Sequence, residues 1–270
     1  MGGRRCPDHW PKLTRSVQRQ RSCSSYEAND GSHTDSSMHP VNRHRWDLSP
    51  DQAVALQREL ATRLIIRDEL PDRLQLVGGV DVAYREDKSL AVAAAVVLDA
   101  ETLQVRELVH AHVQISFPYI PGLLSFREIP AIESALGKLT LTPDVLLCDG
   151  HGIAHPRRFG LAAHVGFLFD LPTVGCAKSS LRLRAPHEPG PARGAFSELV
   201  SRGQVVGVVL RTRDRVRPLY VSPGHRVSVT TARNLVLRMC TRYRLPEPTR
   251  LADQAVSELR KSVDQDPRDL

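Results

Sequence analysis

A chain of 270 residues with 41% hydrophobic content is long enough to bury one large core or two small ones. Its net charge of +7 and pI near 9.5 favour a polyanionic partner, although part of the basic excess lies in the N-terminal tail. No apolar run reaches the roughly 18 residues of a membrane span, and the arginine-bearing N-terminus has no hydrophobic stretch of the secretory kind. The five cysteines are odd in number and form no C-x-x-C pair. Cys148 and Cys176 read as reduced core thiols, and a reducing, cytoplasmic setting is expected.

Residues 1–45 are rich in Ser, Arg, His and Asp and are expected to be a disordered basic extension. Folding is expected from Trp46, with a catalytic domain over 46–263 and a flexible tail over 264–270. Ser49-Pro50-Asp51 opens a predicted helix that runs to Ile66. Strands are predicted at 74–84, 90–98 and 105–115, joined by short polar connections as an antiparallel meander. A helix follows over 126–139, then a doubly covered strand from Val145 to Asp149. A helix near 158–168 leads to a strand at 173–177. Residues 185–195 are Pro/Gly-rich loop. A hairpin is predicted from 205–211 and 219–221, and helices over 229–242 and 249–263 close the chain. The pattern is α/β, with a mixed central sheet flanked by helices, and is similar in order to the ribonuclease H-like fold.

Three acids stand out. Asp81 interrupts the strand Val77 to Tyr84, where aspartate is depleted, and Gly78 and Gly79 permit close approach of another group. The alternative is a solvated edge position. Asp149 ends a covered strand, where open α/β sheets place ligands, although Asp-Gly is also a common turn pair. Glu128 completes S-x-x-E after Ser125, so it is either a helix cap or a ligand on an apolar face. Convergent carboxylates suit a hard divalent cation.

The segment Pro118-Tyr119-Ile120-Pro121-Gly122 holds an aromatic ring between two prolines, a stiff projection fit to act as a wedge in nucleic acid. His151, His155 and His164 lack the context of a zinc site, and hydrogen-bonding roles are expected, with a catalytic assist from His155 as the lesser option. By pattern, Lys178 is a solvated strand-end lysine or a phosphate partner, and Asp253 lies on a solvated helix face.

Six blocks carry a further signal. They are Gly79 to Tyr84, Pro118 to Glu128, Asp149 to Arg157, Val174 to Ser179, Gly224 to Ser228 and Arg244 to Asp253. In this order, from about Ser49 to Leu259, the chain resembles the endonuclease V family, the deoxyinosine 3′-endonucleases. Thr230 departs from the acid that the family often carries there. The resemblance implies magnesium-dependent cleavage, with manganese able to substitute, at the second phosphodiester bond 3′ to inosine. It implies a metal set of Asp81, Glu128 and Asp149, with Asp253 as a further acid, which overrides the pattern-based reading of that residue. It gives Lys178 a role near the scissile phosphate. Tyr119, with Pro118, Ile120, Pro121 and Gly122, becomes the wedge, and Gly150 a wall of the base pocket, near His155. DNA containing deoxyinosine is the implied partner. Inosine-containing RNA, a non-catalytic inosine-binding role and a structure-specific nuclease are the alternatives. A monomer without membrane contact is the simplest expectation.

Overall fold

Ser49 and Gln52 exchange side-chain and backbone hydrogen bonds in a reciprocal capping box, with Pro50 at the first helical position. This starts α1 (Pro50–Ala61). The helix stops before the expected Ile66 because the following segment bonds elsewhere. The Arg226 N–H donates to the Ile65 carbonyl at 2.6 Å, and the Ile65 N–H donates to His225 Nδ1 at 3.2 Å. The computed structural model describes residues 38–265, so the expectations for 1–37 and 266–270 lie outside the described residues. Met38 already sits in the core, and Asn42 donates from its side chain to the Phe167 carbonyl at 2.8 Å. Packing on the domain therefore begins ahead of Trp46.

The meander forms as its alternation requires: β1 (Leu76–Tyr84), β2 (Leu90–Asp99) and β3 (Val105–Gln114) pair antiparallel. α2 (Leu124–Leu136) then leads to β4 (Val145–Cys148), and α3 (Leu161–Phe169) to β5 (Thr173–Ala177). β4 is parallel to both β1 and β5. Three antiparallel strands follow, β6 (Phe196–Ser201), β7 (Gln204–Leu210) and β8 (Leu219–His225), before α4 (Val229–Met239) and α5 (Glu247–Gln265). The sheet has eight strands in the order β3-β2-β1-β4-β5-β8-β7-β6.

The expected hairpin is thus part of a three-stranded meander. β6 alternates outward and inward, with Ser197 and Leu199 buried, a period-2 signal obscured by the Pro/Gly-rich run before it. β8 continues through Pro223 and Gly224, which read as breakers. Its register against β5 shifts between Thr173 and Val174, and that irregularity accommodates both residues.

α2 and α3 cover one face of the sheet, around Val80, Leu146, Cys148, Ile129 and Val165. α4 and α5 cover the other, around Val77, Val145, Leu147, Val236 and Leu251. Gly79 belongs to the second face. A Cβ placed there would lie 2.2 Å from the carbonyl of Pro248, so only glycine lets α5 rest directly on β1. Cys148, Cys176 and Cys240 are buried free thiols.

Gly79→Ala forces α5 off the sheet and is expected to lower stability by about 1–3 kcal/mol, the scale of overpacking. Urea denaturation at an unchanged m-value measures it. A variant as stable as the wild type would show that α5 does not press on β1.

Candidate active site

The parallel pairing of β1 and β4 sets the centre of the site. Its last pair is Val80 with Cys148, so Asp81 and Asp149 follow side by side, one step beyond. Asp81 shares the α5 face with Gly79, two residues earlier. Pro248 resting on Gly79 brings the first turns of α5 over that face, and Asp253 arrives there. Asp81, Asp149 and Asp253 each offer a carboxylate oxygen within 4.8 Å of the others. Among the described residues they are the acid group that could hold a metal ion. Asp253 stays half-exposed, as its pattern suggested, yet the close approach of α5 sets it beside the other two acids.

Lys178, just past β5, closes the group. Its Nζ lies 2.5 Å from Asp149 Oδ2 and 3.0 Å from Asp253 Oδ1. Burial works against its charge, yet the two carboxylates outweigh that and raise its pKa. Asp149 is nevertheless raised, because its own burial exceeds the benefit of Lys178. Asp81 is pushed up to about 7, first by burial and then by the charge of Asp149. Asp81 and Asp149 titrate as a pair, not singly.

Glu128 approaches from the other layer. α2 begins at Leu124 without a side-chain cap, so the S-x-x-E cap does not form. Glu128 is 7% exposed and accepts a hydrogen bond from the Tyr84 hydroxyl at 3.0 Å. Burial raises it to about 8, and the charges of Asp81 and Asp149 add to the shift. It lies outside the three-acid set but inside its field. Tyr84, its partner, was not singled out from sequence; a tyrosine ending the strand that carries Asp81 was the available signal.

Next to the acids lies a cavity of about 130 Å³. Tyr119, Ile120, Pro121 and Gly122 line one side, and Gly150, His151, His155 and Leu161 another. Pro118 is not on its wall. Tyr119 is 69% exposed at the rim, as a projecting ring should be. A Cβ on Gly150 would lie 3.0 Å from Leu161, so a side chain there would tighten the cavity.

The loop that carries Tyr119 is held by one carbonyl. Gly122 has φ +83°, a left-handed conformation suited to glycine. Its carbonyl accepts from Arg157 at 2.6 Å, Gln57 at 3.1 Å and His155 at 3.1 Å. Arg157 in turn donates to Gln57 Oε1 at 2.5 Å. His155 also accepts from the Arg157 N–H at 3.2 Å, so both ring nitrogens are used, and burial pushes its pKa down to about 3. Gln57, wholly buried on α1, was not singled out; its place among apolar helix residues was the signal. Arg127 and Arg158 likewise direct donors to carbonyls, of Phe117 and Ser201. Arg127, Arg157 and Arg158 are thus all engaged within the protein.

A mixed sheet covered on both faces, with acids at the carboxyl ends of its central strands, defines a ribonuclease H-like nuclease. The family model for Endonuclease V matches residues 58–254. An endonuclease V from Azotobacter vinelandii is 54% identical over 212 residues, 78% of this chain and 95% of the relative. The crystal structure of endonuclease V from Streptomyces avermitilis superposes with a TM-score of 0.76 at 44% identity, covering 81% of this chain and 96% of that one. Endonuclease V from Ciona intestinalis, solved with a 24mer DNA containing an inosine followed by a ribo-adenosine, gives 0.68 at 30% identity, covering 77% and 96%. This chain belongs to the endonuclease V family. No helix among the described residues is long and apolar enough to cross a membrane.

In chelator, Asp81 is expected to contribute a loss of stability as pH rises from the ordinary carboxyl range, about 4, through its raised value, about 7. Over that window this carboxyl holds more proton in the folded chain than in the unfolded one, which fixes the sign of its share, while buried neutral histidines such as His155 contribute the opposite slope. Asp81→Asn should remove the Asp81 share and so make the slope more positive. Thermal midpoints in EDTA between about pH 5 and 8 check this; equal slopes for both proteins would contradict it.

Proposed function

We propose that this protein is a DNA repair endonuclease that recognises deoxyinosine and hydrolyses the second phosphodiester bond on its 3′ side, leaving 3′-hydroxyl and 5′-phosphate ends. The observation that carries this is the junction of two features: a three-acid set within 4.8 Å and, beside it, a cavity rimmed by an exposed, proline-framed tyrosine. Membership of the endonuclease V family supports it, and the inosine-containing DNA of the Ciona intestinalis relative is extended to this chain as its ligand.

The donor set fits magnesium or manganese, since it consists of hard carboxylate oxygens on separate, rigid elements. Asp81, Asp149 and Asp253 would hold the cation, with Glu128 behind them from α2. Bound there, it supplies an activated water and neutralises the charge that develops at phosphorus. Lys178 places a positive charge against the same acids, where a scissile phosphate would enter. Tyr119 fills the gap left by an extruded base and recovers roughly 1–3 kcal/mol of stacking. Hypoxanthine pairs less well than a normal base, so its extrusion costs less. The clamp on the Gly122 carbonyl keeps the wedge rigid, which makes His155 a positioning residue instead of a proton donor.

End-labelled oligonucleotides bearing one inosine, as DNA and as RNA, test the assignment with Mg²⁺ or EDTA. A single Mg²⁺-dependent cut is expected, lowered at least about a hundredfold in Asp81→Ala and Asp149→Ala. Binding without cleavage would favour a non-catalytic role, and RNA cut in preference to DNA would shift the substrate. Tyr119→Ala should lose about tenfold in preference for inosine while retaining metal-dependent cleavage; unchanged preference would remove the wedge.

A further inference from the structure

Arg127, Arg157 and Arg158 spend donors on carbonyls of the chain itself. The charge of a polynucleotide therefore has to be met by other cations. A groove of about 720 Å³ offers them. It starts at Lys178, which also touches Asp149 and Asp253, and Arg184, Arg217 and Arg244 line it. The one acid on its wall, Glu188, is paired with Arg211 at 3.1 Å. Four cations thus line one space whose own carboxylate is already engaged.

The sheet puts these cations together. β8 runs antiparallel to β5 with Tyr220 opposite Ala177, so the start of β8 lies beside the end of β5. Lys178 and Arg217 are thereby brought to the same edge. Arg244 reaches that edge from the segment ahead of α5. Its Nη2 donates to the carbonyls of Lys178 at 3.1 Å and Pro218 at 2.8 Å. The guanidinium is fixed there, and it forms no salt bridge among the described residues. Its pKa is lowered, first by burial and then by the charge of Arg217. Arg184 and Arg217 make no hydrogen bond or ion pair among the described residues. Two arginines brought together without a shared carboxylate suit an anion that accepts from both.

The order of strands gives the groove a direction. The loop of Tyr119 precedes α2, which packs on β1, β2 and β3. The acids follow at the ends of β1 and β4, and the groove begins past β5 and continues over β8. A strand with its extruded base beside Tyr119 and its scissile linkage at the acids runs on over Lys178 into the groove. The cut lies 3′ to the base, so the onward part is the 3′ side.

We propose that this groove binds the strand beyond the cut, with Arg217 and Arg244 receiving a backbone phosphate on the 3′ side of the scissile one. This rests on the proposed function and gives it a second contact surface. Such a contact positions the strand and carries no base information, so it acts on every substrate alike.

The test uses single-stranded inosine oligonucleotides with Mg²⁺, in which one methylphosphonate, a linkage without charge, replaces a phosphate. At one of the first two positions beyond the cut, the neutral linkage should lower wild-type kcat/KM about tenfold, the scale of a charge-assisted hydrogen bond. Arg217→Gln should lose about tenfold on the fully charged strand and no more when that linkage is neutral, with its preference for inosine over adenosine intact. Arg106→Gln, on β3 at the far edge of the sheet, lowers the net charge equally and should keep the full penalty. Losses that simply add in Arg217→Gln, or coupling of Arg217 only to a linkage 5′ to inosine, would overturn the assignment. So would wild type indifferent to every neutral linkage beyond the cut, a comparison that needs no variant to fold. Wild type that leaves the fully charged strand uncut would overturn the proposed function, and this inference with it.

Discussion

Two parallel strands in register force Asp81 and Asp149 into contact, and the rest of the site answers that repulsion. Like charges brought together away from water either take up protons or acquire a cation. Here Asp81 is pushed toward neutrality, and Lys178 sits against Asp149 and Asp253. Neither response removes the cost. A divalent ion would do so at once, and the backbone that creates the repulsion also holds the ligands rigid. The bare Cα of Gly79 belongs to the same device, since it sets the height of α5 and therefore the reach of Asp253.

A second constraint governs recognition. One backbone oxygen, that of Gly122, gathers donors from α1, from the segment after β4 and from a buried histidine. The loop that carries Tyr119 is thereby tied to the segment that follows Asp149. In the proposed function that tie would hold base recognition and bond cleavage at a fixed separation, as a cut at a set spacing from the lesion requires. Arginines are well suited to such a clamp because the guanidinium forks between partners. Their use here explains why the basic character of the segment from 155 to 158 is turned inward instead of toward solvent.

Much of this was legible in the sequence. The meander, the covered strand ending in Asp149 and the proline-framed Tyr119 follow from periodicity and backbone restriction alone. Local pattern went astray where distant contacts decide. Ser125 and Glu128 have the spacing of a helix cap, but α2 begins earlier, so Ser125 meets His164 and Glu128 meets Tyr84. Asp253 faces away from the apolar stripe of its helix and is half-exposed, but its pattern could not show Asp81 and Asp149 beside it. Gln57 falls on the apolar side of its helix, but only the fold shows the carbonyl above it. β8 runs through Pro223 and Gly224 because a bulge absorbs them. In each case the missing information is the identity of the neighbour across the core.

The central claim, that the three acids together form a cation site, is tested most directly by titrating manganese into metal-free protein near pH 7, following heat and proton release. Binding with release of protons is expected, because Asp81 is partly protonated there until the ion arrives. In Asp81→Asn the affinity should collapse and the proton release should diminish. Wild-type affinity in that variant, or no binding by the wild type, would contradict the account.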